Sequence, residues 1–295
     1  MWLVTGAQGQ LGRSLTELLS NSSTEYVGTS SRELDITNKD LIHGFISKLK
    51  PSVIINTAAW TEVDSAECNV EAAMKVNADG PLHLASSAKK VGALFVHIST
   101  DYVFSGETHF PWQEDSLRVP ISVYGKSKAR GEELVMDEYP EGSYIVRTAW
   151  LYSQWGRNFA KTMTKLALFG EGEVRVVADQ IGQPTSAADL AAQIVSTVNA
   201  QVPTGIYHGT NSGQATWFDF ATAIFMACDA DRSRLNPTDS TSYVRPAQRP
   251  TYSVLGHARW HSNVASKDQV SPMRNWEMAL SEIMPEIIAR VKVEE

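Results

Sequence analysis

The sequence predicts an α/β protein: a Rossmann-type, doubly wound parallel sheet with a smaller C-terminal substrate-binding lobe. Two observations lead to this prediction. The first half of the 295-residue chain alternates short apolar runs with longer stretches of helical period, which is the pattern of repeated βαβ units. The first apolar run also passes through three evenly spaced glycines into a helical stretch. Such a turn is typical of the first βα unit of a doubly wound sheet.

The apolar runs and helical stretches of the first half predict its elements in order. Strands are predicted at residues 2–5, 26–29, 53–56, 94–99 and 144–147. Helices are predicted at residues 10–20, 39–49, 70–90 and 124–139. Asn38 stands where the second helix needs an N-cap, and Gly92 follows the third helix as a usual stop residue.

Past residue 150 the pattern becomes richer in loops. Clusters of Gly, Pro, Asp and Ser predict loops at residues 169–173, 179–185, 203–213 and 236–250. Shorter helices are predicted at residues 186–197, 217–227 and 276–291. We therefore expect a sheet domain at residues 1–150, to which some later elements return. Residues 151–295 are expected to form mainly the substrate-binding lobe.

Composition and charge argue against several classes of protein. Lys and Arg total 26 against 33 Asp and Glu, which gives a formal net charge of −7, whereas a sequence-independent nucleic-acid binder needs clustered positive charge. No apolar run approaches the roughly 20 residues of a membrane helix, and no signal peptide precedes the first strand. Cys68 and Cys228 lack the spacing of a metal site. We expect a cytoplasmic protein that binds neither nucleic acid nor membrane.

The glycine-rich turn after the first strand predicts a phosphate site. Gly6, Gly9 and Gly12 follow the pattern G-x-x-G-x-x-G. The first glycine permits a tight turn, the second lets the backbone approach a pyrophosphate, and the third lets helix pack on strand. The N-terminus of the following helix then offers free N–H groups to the phosphates. An ordinary strand-to-helix turn is the alternative. Residues 1–150 are accordingly predicted to be a dinucleotide-binding domain.

The end of the second strand discriminates between dinucleotides. An acidic residue there favours NAD, because it binds the ribose 2′-hydroxyl and repels a 2′-phosphate. Residues 29–32 carry hydroxyls and a cation, with Ser31 and Arg32 nearest the turn. We therefore predict NADPH as the cofactor, with NADH as an alternative electron donor. In the competing interpretation Arg32 is merely an exposed cation.

A tyrosine and a lysine at the start of the fourth helix predict proton transfer. Tyr124 and Lys128 are four residues apart, which places them on one face of the helix. A phenol titrates near ~10 in water, and a neighbouring ammonium lowers that value. Tyr124 can then donate a proton to a developing alkoxide. Thr100 follows an apolar strand and is placed to orient a carbonyl beside Tyr124; a turn-forming role is the alternative for Thr100.

Motifs along most of the chain resemble those of the extended short-chain dehydrogenase/reductase family. Within it, the sequence is similar to the branch that reduces a 4-keto dTDP sugar to dTDP-L-rhamnose. The matching motifs lie at residues 6–12, 34–37, 56–64, 66–67, 99–104, 124–128, 131–132, 147–150, 158–159, 179–185 and 249–250. The resemblance thus implies a Rossmann fold, NADPH and a dTDP-sugar substrate.

The resemblance also implies a role for each matching residue. It assigns the cofactor pyrophosphate to Gly9, Gln10 and Leu11. The adenine would lie against Asp35 and Ile36, and the cofactor channel would be lined by Ala58, Ala59 and Trp60. Catalysis would belong to Thr100, Tyr124 and Lys128. The 4-keto sugar would contact Thr100, Asp101, Tyr102 and Trp150, and its diphosphate would contact Asn158 and Arg249. Alternatives stay open for Trp150 as a core aromatic residue and for Asn158 as a helix cap.

Departures from the family pattern affect metal binding and assembly. Some members are dimers bridged by Mg²⁺ through acidic side chains, but Ser14 and Ala188 stand at such positions here. We therefore predict no essential metal and a monomer or weak homodimer. A nucleotide-sugar epimerase or 4,6-dehydratase would typically show a second acid after Asp101, where this chain has Tyr102. A non-catalytic regulatory subunit on the same fold is the other alternative.

Overall fold

The computed structural model describes residues 1–262 and 270–295. Its strands in chain order are β1 (Trp2–Thr5), β2 (Tyr26–Thr29), β3 (Val53–Asn56), β4 (Leu94–Thr100), β5 (Ser143–Thr148), β6 (Leu151–Tyr152), β7 (Val174–Val177), β8 (Ile181–Gly182), β9 (Thr185–Ser186), β10 (Gly205–His208), β11 (Ala215–Thr216) and β12 (Leu235–Thr238). Six of them form a sheet of order β10-β5-β4-β3-β1-β2 in which every pairing is parallel. The predicted fold class is confirmed.

The helices cover both faces of this sheet and build the second lobe. In chain order they are α1 (Gln10–Ser20), α2 (Lys39–Leu49), α3 (Val63–Ala66), α4 (Val70–Met74), α5 (Gly80–Val91), α6 (Val123–Glu138), α7 (Phe159–Phe169), α8 (Ala187–Asn199), α9 (Trp217–Ala227), α10 (Ala258–Ser262) and α11 (Trp276–Glu294). Helices α1 and α8 pack on one face, and α2, α5 and α6 pack on the other. Because both faces are covered, β1 and β3 are buried at every residue.

The strand order creates a crevice at the carboxyl ends of the strands. Strand β1 lies between β2 and β3, so the chain leaves β1 toward one edge of the sheet and returns to the other side. Ligands of open α/β sheets bind where the strand order reverses in this way. The loops after β1, β3 and β4 therefore face the same crevice.

A second core belongs to α7, α9 and α11. It is centred on buried aromatic residues that include Tyr152, Phe220 and Trp276. Strands β7 and β12 pair in parallel beside it. The short strands β6 and β9, which also pair, join this lobe to the end of β5. The lobe thus stands over the crevice at the carboxyl ends of the sheet.

The helix predicted at residues 70–90 is wrong as a continuous element. A π-helical turn, Lys75–Asp79, separates α4 from α5. Pro81 lies in the first turn of α5, and a proline has no N–H group for the regular helical bond. The interruption places Asn77 where its side chain accepts a hydrogen bond from the Trp60 N–H at 2.8 Å and donates to the Trp60 carbonyl at 3.0 Å. The π turn therefore fixes the loop that follows β3.

Several elements lie where the sequence predicts none, and β10 and α7 are the two that bear most on the cleft. Strand β10 falls inside the loop predicted at residues 203–213, although it is the sixth strand of the main sheet. It has only four residues and begins at Gly205, so its own pattern is weak. Helix α7 was also missed; it begins after Asn158, whose side chain accepts a hydrogen bond from the Lys161 N–H at 2.9 Å. That bond confirms the helix-cap interpretation of Asn158.

Candidate active site

A cleft of about 870 Å³ runs along the carboxyl ends of the sheet and under the second lobe. Most of the residues that the sequence singled out line it together. They are Gly6, Gly9, Gln10, Leu11, Gly12, Ser31, Asp35, Ile36, Ala58, Ala59, Thr100, Asp101, Tyr102, Tyr124, Lys128 and Trp150. Four others do not line it, namely Arg32, Trp60, Asn158 and Arg249. The structure therefore brings most of the residues predicted to contact a cofactor and most of those predicted to contact a substrate around one space.

The glycine turn lets the backbone fold tightly at one end of the cleft. Gly6 has φ +69°, and a Cβ there would lie 2.6 Å from the Ala58 nitrogen. A Cβ at Gly12 would lie 2.3 Å from the Gly6 carbonyl oxygen. Helix α1 begins at this turn with no side-chain cap and no acidic residue in its first turn. Its free N–H groups and positive end suit a phosphate group.

The turn after β2 holds an acidic residue that the sequence analysis passed over. The carboxylate of Glu33 accepts hydrogen bonds from the Ser30 N–H at 2.8 Å and the Ser30 hydroxyl at 2.7 Å. These two bonds lower the pKa of Glu33. Ser31 lines the cleft beside them, whereas Arg32 is exposed. The turn thus presents a hydroxyl and a nearby cation while its carboxylate is occupied by Ser30.

Thr100 and Tyr124 meet in the middle of the cleft. Thr100 is the last residue of β4, and its hydroxyl donates to the Asp101 carboxylate at 2.9 Å. Tyr124 lies in the first turn of α6, which Ser122 caps by accepting a hydrogen bond from the Gly125 N–H at 3.1 Å. Burial raises the pKa of Tyr124 to about 12, and a hydrogen bond with Thr100 opposes the rise. The direction is opposite to the lowering by Lys128 that the sequence predicted; it leaves the phenol protonated at neutral pH and available as a proton donor.

Lys128 is buried one helical turn beyond Tyr124. Its side-chain nitrogen donates to the Ile98 carbonyl at 2.5 Å and lies 3.5 Å from the His97 Nε2 atom. Burial lowers the pKa of Lys128 to about 8, and the charge of Glu132 opposes that effect. A lysine with such a pKa exchanges its proton near neutral pH. His97 is a residue that the sequence analysis passed over.

Asp101 and Tyr102 form the wall next to Thr100. Burial raises the pKa of Asp101 to about 6, while hydrogen bonds with Ser253 and Thr100 oppose the rise. Burial also raises the pKa of Tyr102, whose ring meets that of Tyr124 edge to face at a centroid distance of 5.7 Å. Both side chains thus offer polar atoms to a bound molecule at neutral pH.

Trp150 is a wall of the cleft and is held in an unusual conformation. Its φ is +44°, in the left-handed region that residues with a Cβ seldom adopt. Its ring stacks on that of Trp217, with centroids 3.5 Å apart and planes within 8°. Trp217 also lines the cleft, and the sequence showed it only as the start of a helix. The pair provides a flat apolar surface in the wall of the cleft.

Three of the predicted residues outside the cleft hydrogen bond with other residues, and Asn158 and Arg249 thereby contact residues that line the cleft. The Asn158 amide donates to the Gln10 side-chain oxygen at 2.9 Å, so it positions the residue at which α1 leaves the glycine turn. Arg249 donates to both carboxylate oxygens of Asp64 at 2.9 Å and also hydrogen bonds with Tyr102. Trp60 contributes its backbone to the Asn77 side chain.

Arg157 is a cation that the sequence analysis did not single out. It is exposed and lines the cleft. The preceding residue, Gly156, has φ +64°, and a Cβ there would lie 3.4 Å from the Gln10 side chain. Arg157 therefore stands beside the phosphate turn, where no local sequence signal would have placed it.

Metal and membrane features can be assessed for the described ranges. Within residues 1–262 and 270–295, no group of three or more His, Cys, Asp or Glu side chains is arranged to hold a metal ion. In the same ranges no helix is long and apolar enough to span a membrane.

Known proteins resemble this chain over nearly its full length. The profile of the RmlD substrate binding domain matches residues 1–288. A dTDP-4-dehydrorhamnose reductase of Streptomyces griseus is 43% identical over 98% of this chain and 94% of its own length. A dTDP-4-keto-6-deoxy-D-glucose reductase of Streptomyces niveus is 40% identical over 96% of both chains. The crystal structure of dTDP-4-dehydrorhamnose reductase from Bacillus anthracis in complex with NADP superimposes with a TM-score of 0.91 at 36% identity, covering 97% of this chain and 98% of that one.

Proposed function

The chain belongs to the RmlD substrate binding domain family, and we propose that it is an NADPH-dependent oxidoreductase that reduces dTDP-4-dehydro-β-L-rhamnose to dTDP-β-L-rhamnose. The observation that carries the proposal is the meeting of Thr100, Tyr124 and Lys128 in the cleft that also contains the glycine turn. A hydride donor bound along that turn and a ketone bound beside Tyr124 would share one space. Relatives at about 40% identity that are named as reductases support it.

The residues at one end of the cleft fit a dinucleotide. A Cβ at Gly6 or Gly12 would collide with neighbouring backbone, so only glycine allows a turn this tight, and α1 begins at that turn without a side-chain cap. We propose that the cofactor is held by Gly6, Gly9, Gln10, Leu11, Gly12, Ser31, Arg32, Asp35, Ile36, Ala58, Ala59, Trp60, Tyr124 and Lys128. When bound, NADPH supplies the hydride that reduces the C4 carbonyl. Arg32 would act on the 2′-phosphate from its exposed position, and Trp60 would act through its backbone.

Tyr124 would supply the proton that completes the reduction. As hydride reaches C4, negative charge develops on the carbonyl oxygen, and the Tyr124 phenol transfers its proton to that oxygen. Thr100 would hold the carbonyl beside the phenol by a hydrogen bond. Lys128 would stabilise the phenolate that remains, because an ammonium group next to a phenol favours its charged form.

The substrate would occupy the part of the cleft under the second lobe. Asp101 and Tyr102 would hydrogen bond with the sugar, while Trp150 would cover its apolar face. Asn158 and Arg249 would act on the diphosphate end indirectly, since neither lines the cleft. Asp101 is followed by Tyr102 rather than by a second acid, which favours simple reduction over epimerisation or dehydration. The cytoplasmic location and the monomeric or weakly dimeric state remain part of the proposal.

The test is reduction by the purified protein. With NADPH and enzymatically prepared dTDP-4-dehydro-β-L-rhamnose we expect NADPH oxidation in step with formation of dTDP-β-L-rhamnose. Absence of that product under conditions where the protein is folded and binds NADPH would refute the proposed reaction.

A second substrate is favoured by one of the relatives. The Streptomyces niveus protein is named for reduction of dTDP-4-keto-6-deoxy-D-glucose and is nearly as similar as the Streptomyces griseus protein. The two ketones differ in configuration around the ring and not in the group that is reduced. Measuring kcat/KM for both under the same conditions decides between them; the larger value identifies the substrate.

A further inference from the structure

Four buried polar side chains form a line across the sheet toward the reaction centre. The Thr5 hydroxyl donates to the Asn56 side-chain oxygen at 2.7 Å. The Asn56 amide nitrogen lies 3.1 Å from His97 Nδ1, and His97 Nε2 lies 3.5 Å from the Lys128 nitrogen. None of the four side chains is more than 2% exposed. The line begins under the glycine turn and ends at the lysine that follows Tyr124.

The first part of this line fixes the tautomer of His97. The Asn56 side-chain oxygen accepts from both the Thr5 hydroxyl and the Ala58 N–H, at 2.7 and 3.2 Å. Its amide nitrogen therefore faces His97, and an NH₂ group is only a donor. His97 Nδ1 must then accept, which leaves the hydrogen of the neutral ring on Nε2. Burial, and next the nearby Lys128 charge, lower the pKa of His97 well below its ordinary value, so the ring stays neutral.

The Nε2–H group of His97 consequently points at the nitrogen of Lys128. An ammonium group has only donors, so a second N–H directed at it is unfavourable. A neutral amine has a lone pair that accepts this N–H, and it can still donate to the Ile98 carbonyl. The contact therefore favours the neutral form of Lys128.

Other charged groups around Lys128 are accounted for. Glu132 lies one turn along α6, and its carboxylate accepts two hydrogen bonds from Arg147, at 2.9 and 2.7 Å. Arg118 also approaches Glu132, at 3.3 Å. From the end of β4, Asp101 faces the same cleft as Tyr124 and Lys128. The Glu132 charge opposes the lowering of the Lys128 pKa, but Glu132 also forms ion pairs with Arg147 and Arg118.

We infer that His97 is a positioning residue that stabilises the neutral amine of Lys128 after this lysine has returned a proton to Tyr124. This inference rests on the proposed function. In the step, an N–H bond of the Lys128 ammonium breaks and an O–H bond forms on the Tyr124 phenolate. The lone pair left on Lys128 accepts the His97 Nε2–H. Lys128 then takes a proton from solvent, and no electrons change hands.

Two substitutions of His97 separate its two contacts. In His97→Gln the amide nitrogen occupies the region of Nε2 and keeps a donor toward Lys128. In His97→Asn the side-chain oxygen occupies the region of Nδ1 and keeps the Asn56 contact, but nothing reaches Lys128. NADPH oxidation should fall as pH rises through the pKa of Lys128, because only the ammonium form of Lys128 can return a proton to Tyr124.

The expected result is a split between the two variants. In His97→Asn the alkaline limb of the pH profile of kcat should shift to higher pH by about one unit. The neutral amine of Lys128 has then lost the N–H group that donates to it, so the pKa of Lys128 rises. In His97→Gln the limb should stay near the wild-type position. Coincident alkaline limbs in all three proteins would overturn the inference.

A measurement on the protein without substrate tests the same inference independently of activity and of any substitution at His97. In protein labelled with ¹⁵N-histidine, the His97 signals should report the Nε2–H tautomer throughout the neutral range. The ¹⁵N chemical shift of His97 Nε2 should also change with pH as Lys128 titrates. In Lys128→Met this change should be absent. An Nδ1–H tautomer would overturn the inference even in an active enzyme. If the protein reduces no 4-keto sugar, the proposed function fails while this spectrum still decides the role of His97.

Discussion

The indole of Trp150 lies flat on the indole of Trp217, 3.5 Å between centroids, and Gly182 provides the space for it. A Cβ at Gly182 would lie 2.5 Å from the Trp150 ring. The two tryptophans are 67 positions apart in the chain but form one wall of the cleft. The backbone of Trp150, with φ +44°, is held in this position by its surroundings.

Substituting Gly182 should therefore affect sugar binding without affecting the cofactor. Gly182→Ala should displace Trp150 and raise KM for the sugar nucleotide roughly threefold to tenfold, the range expected for loss of one aromatic stack. The Kd for NADPH should not change. Gly44→Ala is the matched control, since a Cβ at Gly44 meets nothing within 4 Å. An unchanged KM in Gly182→Ala would mean that Trp150 does not contact the sugar.

Removal of the Tyr124 hydroxyl should abolish most of the reduction. Tyr124→Phe should lower kcat by about 100-fold or more, because the alkoxide loses its proton donor. NADPH binding, followed by cofactor fluorescence, should persist. Tyr26→Phe serves as the control, because Tyr26 hydrogen bonds with Ser20 and does not line the cleft. Undiminished turnover of Tyr124→Phe would remove Tyr124 from the mechanism.

The raised pKa of Asp101 predicts a pH dependence of sugar binding. Burial raises this pKa to about 6, so the carboxyl loses its charge below that pH and becomes a weaker acceptor for sugar hydroxyls. The affinity for the sugar nucleotide should fall as pH drops through 6, and Asp101→Asn should abolish the trend. An acid limb that survives in Asp101→Asn would assign it to another group.

The same pKa predicts the sign of an effect on stability. Because the folded pKa lies above the unfolded value, this group stabilises the fold at low pH and loses that contribution as pH rises through 6. The free energy of unfolding of the wild type, relative to that of Asp101→Asn, should therefore decrease as pH rises from the ordinary aspartate pKa of 3.8 to about 6. Denaturant titrations at several pH values measure it.

Asn158 is predicted to act on the cofactor through Gln10. Asn158→Ala should cost about 1 kcal/mol of stability, because α7 loses its N-cap, and should also raise Kd for NADPH. Asn38→Ala removes a comparable cap, the Asn38 side chain accepting from the Leu41 N–H at 3.0 Å, but α2 packs on the opposite face of the sheet from α1, the helix that begins at Gln10. The control should lose stability alone. Equal NADPH affinities in both variants would limit Asn158 to capping.

Two exposed arginines should contribute to different phosphates. Arg157 lines the cleft beside the glycine turn, so Arg157→Ala should weaken the binding of NADPH and of NADH by the same factor. Arg32 follows β2, where the 2′-phosphate would lie, so Arg32→Ala should weaken NADPH more than NADH. Fluorescence titration with both dinucleotides distinguishes the two patterns. Equal loss for both dinucleotides in Arg32→Ala would remove Arg32 from the 2′-phosphate site.

Local sequence was a good guide wherever one element carries the signal. Strands β1, β2 and β3 and helices α1 and α2 lie where the apolar pattern predicted them. The local pattern failed where the structure of a segment depends on contacts with an element that is distant in the sequence. Strand β10 gains its stability by pairing with β5, and the break between α4 and α5 accompanies the contacts of Asn77 with Trp60.

The sequence by itself determined the fold class, the glycine turn and the spacing of Tyr124 and Lys128, because each depends on residues close together in the chain. Only the tertiary structure decided that Trp217 stacks on Trp150 and that Arg249 binds Asp64. It alone also brought His97 to Lys128. These contacts join residues from separate elements, and their partners are chosen by packing and by the need to satisfy buried polar groups, which no local pattern records.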